Sequence, residues 1–211
     1  MLHLSSFEHF KNQFKNKNMG ITHYSLDRMT RFNCLKPTIK MLELGCQNIY
    51  VNGYPEMAIS LEELPKKFGV QIEVWDILGC QNAKVVDLRE PVAKDLYGNF
   101  DVITDFGTTE HIDGNYYQAR KNIHDLCKVG GLMIHENPMT GHWIGHGSNY
   151  VNTNFYNQLA EHNQYEILEL GIEYAMGNTT DGGNVYCVMK KLADTPFVSK
   201  EKFETFDVFK S

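Results

Sequence analysis

Ile39-Lys40-Met41-Leu42-Glu43-Leu44-Gly45 is a compact apolar run that follows Pro37 and stops at a glycine. Such a run is the form of a strand buried inside a sheet. Downstream, VQIEVWD (70–76), AKVVDL (83–88), FDVITDF (100–106) and LMIHE (132–136) have the β-branched and aromatic content of further strands. Helical stretches fill the gaps. PEMAISLEELPKKF begins at Pro55, with Pro65 expected to end or bend it, and YYQARKNIHDLCKV (116–129) is expected to stop at Gly130 and Gly131. Strands alternating with helices predict a parallel sheet covered on both faces. YEILELGIEYA (165–175) and NVYCVMKK (184–191) are joined only by MGNTTDGG, too short for a parallel crossover, so they are expected to form an antiparallel hairpin. The expected architecture is α/β: a doubly wound, mainly parallel seven-stranded sheet with an antiparallel C-terminal hairpin. Residues 1–211 are read as one domain. Residues 1–37 are read as a helical N-terminal cap with Leu4, Phe7, Phe10 and Phe14 on one face.

Composition narrows the function classes. Lys plus Arg number 20 against 26 Asp plus Glu, a net charge of −6, which disfavours the cationic face that nonspecific nucleic-acid binding needs. No apolar run approaches the roughly 18 residues of a membrane span, and MLHLSSFEHFKNQF lacks the form of a signal peptide. The five cysteines (Cys34, Cys46, Cys80, Cys127, Cys187) are widely spaced and contain no C-x-x-C pair. That usage predicts a reduced, cytoplasmic setting and neither a disulfide scaffold nor a zinc site. The expected partner is a small molecule, with no nucleic acid and no membrane.

The first loop carries the chemical argument. Glu43 ends an apolar run, where a charge is costly unless something pairs with it. The loop after it has a single glycine, Gly45, followed by Cys46, Gln47, Asn48 and Ile49, whereas a pyrophosphate cradle requires G-x-G-x-x-G. A nucleoside ligand without phosphates relaxes that demand. Asp76 and Asp87 close the next two strand candidates, so three carboxylates are expected at the carboxyl edge of the sheet, where open α/β sheets bind ligands. Each could accept hydrogen bonds from ribose hydroxyls or an exocyclic amine, or could simply cap a turn.

The stretches MLELGC, VWDI, AKVVDLREP, FDVITDFGTTEHI and LCKVGGLMIHE resemble, in order and spacing, the motifs of class I S-adenosylmethionine-dependent methyltransferases. The likeness is to the small-molecule type with an E-H-[VI] segment after the fourth strand, and it covers about residues 38–192. It implies S-adenosylmethionine as cofactor. Glu43, Gly45 and Cys46 would frame its methionine end, Asp76 and Ile77 its ribose, Asp87 and Leu88 its adenine, and Asp105 and Phe106 the region of the sulfonium. Gln47 and Ile49 stand where the family often has its second and third glycines. The implied activity is methyl transfer to a small-molecule or glycan-type acceptor, with oxygen expected as the receiving atom. A nicotinamide-dependent oxidoreductase and a non-catalytic nucleoside-binding module remain as alternatives.

For the acceptor proton, His111 in T-T-E-H-I is the candidate base, although a histidine there could equally be an oriented side chain at a helix start. His135, within a strand, reads as structural. The loop from Asn137 to Tyr156 is expected to line the acceptor pocket through His142, Trp143, His146 and Tyr150, or else to pack Trp143 on a helix. His142 and His146 have i, i+4 spacing, but Gly145 and Gly147 argue against a helix and no H-E-x-x-H is present, so no metal site is assigned.

Overall fold

The computed structural model describes residues 20–50, 58–79, 82–174 and 182–210. The decisive run forms β1 (Lys40–Leu44). It is followed by a short antiparallel pair, β2 (Asn48–Tyr50) and β3 (Ala58–Ser60), and by the helix α2 (Glu63–Phe68), while α1 (His23–Arg31) precedes it. β4 (Gln71–Asp76) and β6 (Phe100–Phe106) flank β1, both parallel to it. With β5 (Lys84–Val85), β7 (Cys127–Pro138), β9 (Tyr165–Tyr174) and β10 (Gly183–Lys191), the sheet has seven strands in the order β5-β4-β1-β6-β7-β10-β9. The first five are parallel. β10 runs antiparallel to both β7 and β9, which is the expected terminal hairpin. Helices α3 (Tyr116–Leu126) and α4 (Thr153–Asn163) complete the crossovers, and α5 (Lys200–Phe203) leads to β11 (Val208–Lys210), which pairs with β8 (Asn149–Val151).

Side-chain alternation along β1 explains the apolar run. Leu42 and Leu44 enter one core with Ile103, Ile123 and Phe155, whereas Met41 enters the other with Val102, Phe106, Ile134 and Met29. A parallel strand buried on both faces has no polar side to show. Leu42 and Leu44 are fully buried, each worth about 1.5–3 kcal/mol of transfer free energy.

Several expectations change. The segment read as one helix from Pro55 holds β3 and only the short α2; Pro65 lies in the first turn of α2, where a missing N–H deprives the helix of nothing. The strand expected at 83–88 is two residues long. Gly130 and Gly131 do not stop a helix: α3 ends at Leu126 and the glycines lie inside β7, where Gly130 takes φ +82 and a Cβ on Gly131 would come 2.9 Å from Cys127 Sγ. Cys34, Cys127 and Cys187 are buried free thiols, but Cys46 is disulfide-bonded, against the all-thiol expectation. Leu4, Phe7, Phe10, Phe14 and Pro55 lie outside the described residues.

Helix α1 is anchored to the sheet by charge. Thr22 and Ser25 form a capping box at its start. Ser25 Oγ donates to Glu136 Oε2 at 2.7 Å, and the Arg28 guanidinium pairs with Glu136 and Glu173 while lying 3.7 Å over the Tyr186 ring. Among the described residues no helix is long and apolar enough to cross a membrane.

Candidate functional site

Parallel pairing places the ends of β1, β4, β6 and β7 along one edge. At the end of β1, Glu43 is fully buried and opposite Thr104, whose hydroxyl donates to Glu43 Oε2; Oε1 has no partner. Burial pushes the carboxyl well above its ordinary range, with the Thr104 bond opposing and the Asp105 and Glu136 charges adding to the rise. Gly45, at φ +83, must be glycine: a Cβ would come 2.2 Å from Thr108 Oγ1. Thr108 Oγ1 donates to Leu44 O at 2.7 Å and accepts from Gln47 Nε2 at 3.2 Å. Gln47, at the second glycine position of the family pattern, is thus buried and turned toward the loop that follows β6.

Asp76 ties the neighbouring loops together. Its Oδ2 accepts from Cys46 N at 3.0 Å and its Oδ1 from Leu78 N at 2.6 Å, while Ile77 beside it is 50% exposed. A carboxylate with one bond on each oxygen retains lone pairs for further donors. Asp87 is differently placed. It lies two residues beyond β5, and Arg89 grips it through Nε, Nη2 and the backbone N–H, which holds its carboxyl below the usual range. Leu88 and Phe106 are buried in the two cores. A cavity of about 500 Å³ opens beside the first loop, lined by Cys46, Gln47, Pro65, Ile72, Val74 and Lys84. It lies against α2 and β4, and none of the strand-end carboxylates lines it.

Asp105 is the centre of a buried network. It accepts from Thr109 N at 3.0 Å, Thr109 Oγ1 at 2.7 Å and Arg120 Nη1 at 3.3 Å, and it lies 3.1 Å from His135 Nδ1. Arg120 Nη2 also donates to Asn137 Oδ1 at 3.0 Å, and its Nε to Tyr116 OH at 2.9 Å. Burial opposes the Asp105 charge, but the His135 hydrogen bond and the Arg120 cation hold its carboxyl below the ordinary range. Burial lowers His135, and Arg120 lowers it further. Asp105, implied by the resemblance to lie near the sulfonium, and His135, read as structural, thus share one buried network.

Immediately after β6, a 3₁₀ turn (Thr109–His111) meets the loop between β7 and β8. Ser148 N donates to Glu110 O at 2.7 Å, and a Cβ on Gly147 would come 2.9 Å from the same oxygen. This close approach brings His146 to Glu110 and His111. His111 Nε2 is 3.6 Å and His146 Nε2 3.7 Å from Glu110 Oε1, and the two imidazole centroids are 4.8 Å apart. Glu110 Oε1 and both ring nitrogens of His146 are buried without a hydrogen-bond partner. Of the other loop residues, Tyr150 is internal: its hydroxyl accepts from His146 N and Gly147 N and donates to Trp143 O at 2.9 Å. His142 Nδ1 accepts from Gly183 N at 3.1 Å. Trp143, at φ +51, has its ring centroid 5.7 Å from that of His146, the planes tilted by 52°, and its Nε1 has no hydrogen-bond partner among the described residues. Sequence reasoning selected His111 and His146 separately and missed Glu110, although it stands beside His111 in T-T-E-H-I.

Solved structures similar to this chain include the Burkholderia thailandensis 1,6-didemethyltoxoflavin-N1-methyltransferase with bound 1,6-didemethyltoxoflavin and S-adenosylhomocysteine. It is 12% identical with a TM-score of 0.58, over 90% of this chain and 85% of that one. A SAM-dependent methyltransferase from Archaeoglobus fulgidus aligns at 14% identity and TM-score 0.56, over 88% and 99%. This is the class I methyltransferase fold. The [4+2]-cyclase SpnF also aligns, at 14% identity and TM-score 0.51 over 85% and 86%, so the class I methyltransferase fold does not by itself dictate the reaction. No protein-family model and no curated protein sequence matches the chain.

Proposed function

We propose that the chain is an S-adenosylmethionine-dependent methyltransferase acting on a small-molecule or glycan-type acceptor, at oxygen. The observation that supports this best is Glu43, a fully buried carboxyl with an unpartnered oxygen two residues before Gly45, at the end of a strand inside the sheet. A cationic amine is the partner that would let such a carboxyl ionise, and the amino-acid tail of this cofactor carries one. Glu43, Gly45, Cys46, Asp76 and Ile77 form the proposed cofactor contacts, with Asp76 accepting from ribose hydroxyls. Asp87, Leu88, Asp105 and Phe106 drop out because each is engaged by Arg89, Arg120 or the core.

S-adenosylmethionine, when bound, supplies a methyl group on a sulfonium that departs as a thioether with the bonding pair. The chain's own part is to orient the acceptor and take its proton. His111 is the proposed base, since its side chain is 20% exposed beside the buried Glu110. Trp143 Nε1 and His146, unpartnered in the same corner, are the proposed acceptor contacts.

S-adenosylhomocysteine in excess should raise the melting temperature while NAD does not. Asp76→Ala should weaken S-adenosylhomocysteine roughly 10- to 100-fold by calorimetry, the loss of about 1.5–3 kcal/mol of hydrogen bonding to a charged group. Stabilisation by NAD alone would overturn the reading. The closing of Gln47 and Thr108 over Gly45 favours a second reading, a nucleoside-binding module without chemistry. Cofactor binding with no turnover on any acceptor would select it.

A further inference from the structure

Glu110, His111 and His146 bring three possible ligand atoms within 4.8 Å of one another. In two of the pairs, both to Glu110 Oε1, the separations are 3.6 and 3.7 Å. These are too long for hydrogen bonds. They are close to the ~3.4 Å that separates two donors bound tetrahedrally at about 2.0–2.2 Å from one ion. We propose that these three side chains bind a single divalent transition-metal ion, with Zn²⁺ the first candidate.

Three further observations support this. First, Glu110 is 1% and His146 7% exposed, and the carboxylate oxygen between the imidazoles, like both His146 nitrogens, has no hydrogen-bond partner among the described residues. Buried polar atoms are left unpaired so rarely that a missing ligand is a specific explanation. Second, the arrangement is held from outside. Asn137 Nδ2 lies 3.4 Å from the other oxygen, Glu110 Oε2, and Ser148 N and the close approach of Gly147 fix the Glu110 backbone against the loop carrying His146. Such supporting contacts orient ligands at metal sites. Third, the donor set is chemically selective. Two imidazoles and one carboxylate suit zinc and its transition-metal neighbours, whereas magnesium and calcium require oxygen-rich shells.

Three protein ligands leave coordination positions open, and the partial exposure of His111 leaves a side from which a small molecule could approach. An acceptor hydroxyl held there would release its proton to solvent water more readily through coordination, and His111, the base in the metal-free form of the methyl-transfer reading, would then serve as a ligand. That consequence rests on the methyl-transfer reading; metal binding itself does not.

The test uses the full chain stripped with EDTA and titrated with Zn²⁺ alone by calorimetry, with Mg²⁺ as the comparison. One equivalent should bind the wild type, and His146→Gln, Glu110→Gln and His111→Gln should each weaken it ~100-fold or more. Mg²⁺ should not compete. The chain has nine histidines, so zinc uptake that all three variants retain would be adventitious and would overturn the proposal. An absence of uptake by the wild type would also overturn it and leave a plain His–Glu pairing. If His146→Gln does not fold, His111→Gln at the part-exposed position carries the test. S-adenosylhomocysteine binding by the same stripped samples separates the two ideas: zinc without nucleoside refutes the methyl-transfer reading only, and nucleoside without zinc refutes this one only.

Discussion

Asp105 and Glu110 are five residues apart in sequence, both buried at the carboxyl edge of β6, and their surroundings are opposite. Asp105 is met by Arg120, His135, Asn137 and Thr109, and little of its accepting capacity is unused. Glu110 Oε1 meets two imidazoles at distances that bond neither. The histidines repeat the contrast. His124 has Tyr165 OH at 2.6 Å on one nitrogen and Thr195 O at 2.7 Å on the other, whereas His146 has no partner on either. Completed networks hold a fold together, and incomplete ones of equal burial are what a ligand would complete.

The largest effect should come from breaking the completed network. Arg120→Met removes the cation and leaves Asp105 buried with its charge uncompensated, which should cost about 3–5 kcal/mol in urea unfolding. A loss below about 1 kcal/mol would mean that the network is ornamental and the contrast false.

A second, smaller effect sharpens the histidine comparison. Burial, reinforced by the Lys191 charge, lowers His124 to about 4. In the unfolded chain it titrates at about 6.5. The unfolded state therefore binds the extra proton first as pH falls, so this contribution is complete above pH ~6.5 and is lost between there and pH ~4, on the order of 2–3 kcal/mol. His124→Gln should flatten that part of the stability profile relative to wild type. An identical slope in both proteins would assign the acid sensitivity elsewhere.

The smallest effect is expected at the incomplete site. His146→Gln gives up no hydrogen bond of the imidazole, so in EDTA its unfolding free energy should stay within about 1 kcal/mol of wild type. A loss as large as that of Arg120→Met would show that His146 is a packing residue and erase the distinction.

Much of the fold was legible along the chain. β1, β4 and β6 fell within a residue of their expected bounds, and the terminal hairpin followed from a loop too short to cross the sheet. The segment after Gly45 was not legible, because β2 pairs with β3 while local propensity in PEMAISLEEL favours a helix. The glycine pair misled in a related way: Gly130 and Gly131 are backbone kinks, and whether a kink ends a helix or bends a strand depends on the neighbour, here β6. Of the proposed site, Glu43 was recognisable because a carboxylate in an apolar run is anomalous in any fold. Asp87 was selected as a strand-end carboxylate and Asp105 through the family resemblance, and neither pattern showed that Arg89 and Arg120 would pair with them.

The sequence alone determined where strands run and which of their faces are buried, since hydrophobic period and turn chemistry are local and act on residues a few positions apart. It also determined that charged side chains stand at the strand ends. Only the tertiary structure decided which of those side chains are satisfied. Hydrogen-bond partners are chosen across the sheet edge by whichever loops the strand order brings together, and the approach of Gly147 to Glu110, which carries His146 to His111, is a contact between segments that no local pattern relates.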